Sequence, residues 1–352
     1  PVLEAPPPPT SPTGGSPTAS PLPPLPASRA EQDAKALVML EGWPGQAARL
    51  ALARRTHDTA RVGELETALQ QQARQVASQF AVVAGVFGTN FILGIIVLFV
   101  WTLKGRTWDL RSTDVDLDHP RPEQAFDPLA GWSMLLAFQV VSPLVGGIVG
   151  TLVARGAGSI ATRGSAALVV GVQLVIYAVM LALIAMAIRL RWASIGLHLR
   201  KPLRSAFSGL CLFFGAFIFV LAVGWVMSRL QHGSSAQNNP MFKIMDDAAG
   251  GSWQVIALLF LVAAIGPFFE EILFRGVLYT SMRRVMPAAL AIPLNGLLFS
   301  AVHGDLNTLI PLATLGMLLA YGYERTRSLA TSTVCHCLWN GQTFLLFFLL
   351  LS

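Results

Sequence analysis

The sequence predicts an all-α, polytopic membrane protein of about eight transmembrane helices, preceded by a disordered Pro-rich N-terminal tail. Three observations carry that prediction. Of the 352 residues, 53% are hydrophobic and only 12% charged, against about 25% charged in an ordinary soluble domain. Mean hydropathy is +0.57. From Phe80 onward, apolar runs of the length that spans a bilayer, about 17–25 residues, recur between polar loops.

Taken in order, residues 1–28 are mostly Pro, Ser, Thr, Gly and Ala. Such a segment cannot bury a core and is expected to be a disordered, partly polyproline-II tail. Residues 29–78 carry helical patterning broken at Gly42, Pro44 and Gly45, which suits a polar juxtamembrane segment. Residues 79–352 form the transmembrane bundle. Its apolar runs lie near 80–103, 132–154, 165–188, 207–228, 253–279, 287–303, 307–323 and 329–351, with long polar loops at 104–131 and 229–252. The chain begins at Pro1, so an upstream portion is expected, and no signal peptide is visible.

The net charge of +6 is built almost wholly from Arg, with Lys35, Lys104, Lys201 and Lys243 the only lysines. That bias suits a GC-rich bacterial genome, hence a multi-pass protein of the bacterial inner membrane. In this setting the basic balance marks loops facing anionic lipid, not nucleic acid. Counting Lys and Arg on alternate sides puts Arg189, Arg191, Arg200, Arg283 and Arg284 in the cytoplasm and both termini outside. Arg49, Arg54, Arg55 and Arg61 argue the other way and leave the orientation open. Cys211, Cys335 and Cys337 give neither a disulfide framework nor a CxxC metal pattern.

The functional signal is a cluster of charges inside the fifth apolar run. Pro267 to Tyr279 reads PFFEEILFRGVLY. A charged side chain at the centre of a bilayer helix costs about 2.5–3.5 kcal/mol on insertion scales. Glu270, Glu271 and Arg275 therefore need partners or a task. On a helix, residues four apart share a face, so Glu271 pairs with Arg275 while Glu270 lies about 100° away without a local cation.

Further polar groups follow. Phe299 and His303 are four apart, as are His336 and Asn340. The HGDLNT junction from His303 to Thr308 joins two short runs, so it is expected to sit below the membrane surface and line a cavity. A break at Gly266–Pro267 is a second way to bring His303 level with Glu270. Singly, each residue has a structural reading: an ion pair, an interhelical hydrogen bond, packing at Phe299, or helix capping by Asp305 and Asn307. Together, Glu270, His303, His336 and Asn340 point to one cavity. Glu plus His can hold and deprotonate a water. A second His with an Asn offers donors to an oxyanion, so the set suits amide hydrolysis. Two His and one Glu also match an open zinc site, although there is no HExxH.

The order EExxxR, FxxxH, HxxxN, here Glu270-Glu271-Ile-Leu-Phe-Arg275, Phe299-Ser-Ala-Val-His303 and His336-Cys-Leu-Trp-Asn340, resembles the CAAX-protease and bacteriocin-processing (CPBP, or Abi) family of intramembrane proteases. The resemblance covers about 253–345. It implies a membrane-embedded peptide hydrolase with Glu270 as water-activating base and His303 as its partner. His336 and Asn340 would stabilise the oxyanion, and Glu271, Arg275 and Phe299 would support the site. The family's eukaryotic branch trims prenylated CAAX proteins, and some bacterial members are linked to peptide-toxin immunity or processing. Gly341 departs from the pattern, since many members have a second Asn there. The preferred reading requires no cofactor; the alternative is a metalloprotease-like site with zinc or another divalent cation on Glu270, His303 and His336. The expected partners are a peptide or protein substrate at the membrane and the lipid bilayer, with no nucleic acid. Two rivals are a transporter or channel using the same buried groups as an ion path, and a catalytically silent scaffold. The first predicts inverted repeats, which are not seen; the second predicts loss of a motif residue, and none is lost.

Overall fold

The computed structural model describes residues 42–103, 128–156, 165–189, 191–197, 202–230 and 252–351. The Pro-rich tail and most of both long loops lie outside the described residues. Among those described, every regular element is helical. We label them α1 (Gly42–Arg55), α2 (Thr59–Leu103), α3 (Pro128–Gly156), α4 (Ser165–Ala187) and α5 (Pro202–Leu230). A 3₁₀ turn, Trp192–Ile195, lies between α4 and α5. The segments Ser252–Phe260, Leu261–Ile265, Gly266–Glu271, Ile272–Tyr279 and Thr280–Arg283 follow without interruption and together form α6. Then come α7 (Ala288–Ala301), α8 (Leu309–Thr326) and α9 (Leu329–Leu351).

The chain divides into two compact units, residues 1–81 and 82–352. In the first, Asp58 Oδ1 accepts the Arg61 backbone N–H at 3.1 Å and so caps the start of α2. Arg54 pairs with Glu66 at 2.7 Å, both largely exposed, a contact of little energetic weight.

In the second unit a helix occupies each of the eight apolar runs. Five helices, α2 to α6, are long and apolar enough to cross a membrane, as a multi-pass integral membrane protein requires. Eight spans are not reached by that measure. With 14 residues, α7 rises only about 21 Å, short of the hydrocarbon thickness of about 30 Å. Phe91, Ile92, Ile95, Ile96 and Phe99 of α2 are exposed, which costs nothing against lipid.

The core forms around α6. Every residue from Glu271 to Met282 is buried, walled by Tyr177 and Ile184 of α4, Phe299 of α7, and Tyr323 of α8. At Gly266–Pro267, one of the two places where the sequence allowed a way to bring His303 level with Glu270, the helical segments continue without interruption. Proline lacks an N–H and its ring collides with the carbonyl four residues back. The chain resolves this by widening into a π turn at Leu261–Ile265, with Pro267 in the first turn of the next α segment. In π pairing Gly266 N–H reaches Leu261 O, and the next carbonyl, Val262 O, would need the N–H that Pro267 lacks. Asn340 Nδ2 supplies it from α9 at 3.1 Å.

The pair α7 and α8 packs backbone to backbone. A Cβ at Gly316 would come within 2.9 Å of Gly296 Cα and 3.0 Å of the Phe299 ring. Gly316→Ala is therefore expected to destabilise the protein by about 1–3 kcal/mol, read as a lower unfolding midpoint in detergent. An unchanged midpoint would contradict this close approach.

At the Arg283 end of α6, Glu324 accepts from Tyr279 Oη at 3.0 Å, Arg327 at 2.9 Å and Arg283 at 3.4 Å. Tyr323 Oη donates to Ile195 O at 3.0 Å. Beside it Gly196 sits at φ +81, and a Cβ there would lie 2.9 Å from both Arg327 O and the Tyr323 ring. This network clamps α6 against α8 and sets its rotation.

Candidate active site

That rotation directs the two carboxylates differently. Glu271 and Arg275, both fully buried, join at 2.8 Å as their four-residue spacing dictates. Arg275 also donates to Gly316 O at 3.1 Å and lays its guanidinium over the Phe299 ring at 4.5 Å. The same glycine that lets α7 and α8 approach closely thus also supplies a carbonyl to the guanidinium. Glu270, one residue earlier, keeps 19% of its side chain exposed.

Glu271 has a second partner that its own helix does not provide. His336 Nδ1 meets Glu271 Oε1 at 2.9 Å, and the same ring's Nε2 lies 3.7 Å from Glu270 Oε2. One imidazole therefore stands between the two carboxylates. Since a carboxylate paired with Arg can only accept, Nδ1 carries the proton it donates to Glu271, and Nε2 is the atom turned to Glu270. Ser332, one turn before His336, adds a further interaction with Glu271.

The imidazole beside Glu270 is thus His336, whereas the sequence suggested His303. Among the described residues no hydrogen bond or ion pair joins Glu270 to His303. His303 is exposed, and its Nδ1–H donates to Phe299 O at 2.7 Å, leaving Nε2 outward. Phe299 links the two histidines, with ring centroids 4.9 Å from His303 and 5.5 Å from His336. His303 therefore flanks the same cluster at its open side. Asn340 shares the His336 face of α9 and spends one amide N–H on Val262 O; its carboxamide retains a second donor.

Asn295 escaped notice in the sequence, although Asn295, Phe299 and His303 repeat every four residues. It is fully buried and donates to Phe274 O at 2.9 Å, fixing α7 to α6 beside Arg275. Ser332 shows the same four-residue relation to His336 and Asn340. Asp305 and Asn307 do not act as the cap of α8. The N-cap is Thr308, and Asp305 braces the turn by accepting from Asn307 N at 2.9 Å and Thr308 Oγ1 at 3.0 Å. Asp305→Ala removes only this brace, so it is expected to change the cleavage rate less than about threefold, against the 10²-fold or more typical of catalytic groups. A loss as deep as that of a Glu270 variant would place Asp305 in the chemistry.

Among the described residues no group of three or more His, Cys, Asp or Glu side chains stands close enough to hold a metal ion. Of the proposed trio, His336 turns Nε2 toward Glu270 at 3.7 Å, while His303 has its Nδ1 on Phe299 O and, among the described residues, no hydrogen bond or ion pair with either, so the three are not brought together.

The resemblance read from the three motifs is borne out by comparison with known proteins. Residues 252–342 match the family described as Type II CAAX prenyl endopeptidase Rce1-like. The chain is 25% identical over 141 residues to the membrane-embedded CAAX protease MroQ of Staphylococcus aureus (strain USA300), covering 38% of this chain and 54% of the relative. It is 29% identical over 88 residues to the putative membrane peptidase YdiL of Bacillus subtilis (strain 168), covering 25% of this chain and 36% of that protein. The chain thus spans about half the length or less of these relatives. No solved structure matches it.

Proposed function

We propose that this chain, Rce1-like over residues 252–342, is an intramembrane endopeptidase that hydrolyses a peptide bond near the membrane interface. The observation that carries the reading is the single imidazole of His336 held between Glu271 and Glu270 inside an apolar bundle. An ion pair needs no such third member, and a bare carboxylate path would not fix the ring by its Nδ1.

Glu270 is the general base. It takes a proton from water as the water oxygen bonds to the scissile carbonyl carbon, and the carbonyl π electrons move to oxygen. The oxyanion accepts hydrogen bonds from the second amide N–H of Asn340 and from His336, which donates there as an imidazolium, with Nδ1–H kept on Glu271 and Nε2–H turned to the oxyanion. When the intermediate collapses, the C–N bond breaks and the proton held on Glu270 passes to the leaving nitrogen. Glu271, itself held by Arg275, fixes the orientation of His336 by accepting its Nδ1–H. His303, at the open side, guides water and substrate toward Glu270.

The test is cleavage of membrane-proximal peptides by purified, detergent-solubilised protein, with product termini read by mass spectrometry. Activity is expected to survive strong chelators, with no stoichiometric metal by elemental analysis. Loss on chelation restored by zinc would instead assign a metal to the site. Absence of any cleavage across a broad peptide panel, with ion flux in liposomes, would favour the transporter reading.

A further inference from the structure

We infer that Tyr177 of α4, outside the family-matched region, is the positioning residue of Glu270: its hydroxyl stands one turn along α6 from that carboxylate, as the donor to which the unsatisfied Glu270 oxygen turns during catalysis, with Gln173 one turn behind on α4. This inference rests on the hydrolytic reading above.

Four observations on different elements converge on it. First, the Tyr177 hydroxyl lies against Gly266, so close that a Cβ there would come within 3.3 Å of it. Gly266 and Glu270 are four residues apart within one α-helical segment, Gly266–Glu271, and so share a face. The phenol is thus aimed along the strip of α6 that carries Glu270. Second, the Tyr177 ring is stacked on Phe269 at 4.3 Å with an interplanar angle of 24°, and Phe269 packs in turn on Phe138 at 5.4 Å. Tyr177 is 8% exposed and Phe269 1%, so the ring cannot swing away. Third, Tyr177 lies within the electrostatic reach of Glu270, and Gln173 stands beside it one turn earlier on its own helix. Fourth, Glu270 Oε2 is buried and has no hydrogen-bond partner among the described residues.

The donor inventory then assigns the roles. An ionised carboxylate only accepts, a phenol both donates one proton and accepts, and a carboxamide N–H₂ only donates. Between Tyr177 and Glu270 only the phenolic O–H can donate, and between Tyr177 and Gln173 the carboxamide N–H can donate to the phenolic oxygen. A buried carboxylate held by such a donor presents its free oxygen to water in one orientation. A side chain at residue 266 would press on the hydroxyl, which links the Gly266–Pro267 pair to the site.

The experiment uses the full chain in detergent and a fluorogenic membrane-proximal peptide first shown to be cleaved by the unmodified protein. Tyr177→Phe keeps the stacked ring and deletes only the hydroxyl. It is expected to lower kcat by about 10–100-fold, as loss of an orienting partner typically does, with KM and the unfolding midpoint unchanged. Gln173→Ala is expected to lower kcat less, and to add nothing in the Tyr177→Phe background, because it acts only through the phenol. The inference is overturned if kcat of Tyr177→Phe stays within about twofold of the parent. Additive effects of the two substitutions, or a fall in kcat that tracks the folded fraction, overturn it too. Failure of the hydrolytic reading looks different: there Glu270→Ala itself retains cleavage.

Discussion

A Glu270→Ala chain is expected to lose cleavage, by about 10²–10⁴-fold if only the proton-transfer contribution disappears. Glu270 is the carboxylate with side-chain exposure to the site, 19% against 0% for Glu271. No hydrogen bond engages its Oε2, and His336 Nε2 lies 3.7 Å away. Since Glu270 makes no part of the buried ion pair, its removal leaves the Glu271–Arg275–His336 core in place. The variant should therefore melt like the parent and still bind substrate, which suits it to trapping followed by mass spectrometry of the bound peptide. Parent-level cleavage by Glu270→Ala would sink the mechanism outright.

The largest effect on stability is expected at Arg275. Arg275→Met leaves the fully buried Glu271 carboxylate without its cation, takes a donor from Gly316 O, and removes the cation from the Phe299 face. Breaking a buried pair by removing one partner costs about 3–5 kcal/mol, because an uncompensated charge stays behind. The double variant Glu271→Gln, Arg275→Met removes both charges and is expected to recover part of that loss. It should not recover activity, since Nδ1 of His336 then lacks the carboxylate that holds it. Denaturation in detergent measures the first effect and peptide cleavage the second. Arg275→Met as stable as the parent would contradict the pair's structural weight.

Much of the site follows from local periodicity. Four-residue spacing alone joins Glu271 to Arg275 and puts His336 and Asn340 on one face of α9, because a helix repeats its faces whatever surrounds it. The same rule, applied further, would have exposed Asn295 before Phe299 and Ser332 before His336. Other contacts had no local signature. Which carboxylate His336 meets depends on the rotation and depth of α9 against α6, and His303 was the nearer candidate by motif order alone. Tyr177 belongs to a helix with no charge and no matching motif, so only packing brings it to Gly266. The π turn that precedes Gly266–Pro267 had no local signature for the same reason: an orphaned Val262 carbonyl is tolerable only because Asn340 arrives from another helix to donate to it.

The amino-acid sequence by itself determined that this is a helical membrane protein, since long apolar runs leave the backbone no other way to satisfy its hydrogen bonds in lipid. It also determined that the costly polar groups gather in the last four helices and which of them pair along one helix. The tertiary structure decided how the helices rotate against one another. Close approach at Gly296 and Gly316 and the Glu324 clamp set that rotation. Between them they turn Glu271 inward to Arg275 and His336 and leave Glu270 beside Nε2 of the same ring, because a buried charge settles only where every neighbouring helix offers it a partner.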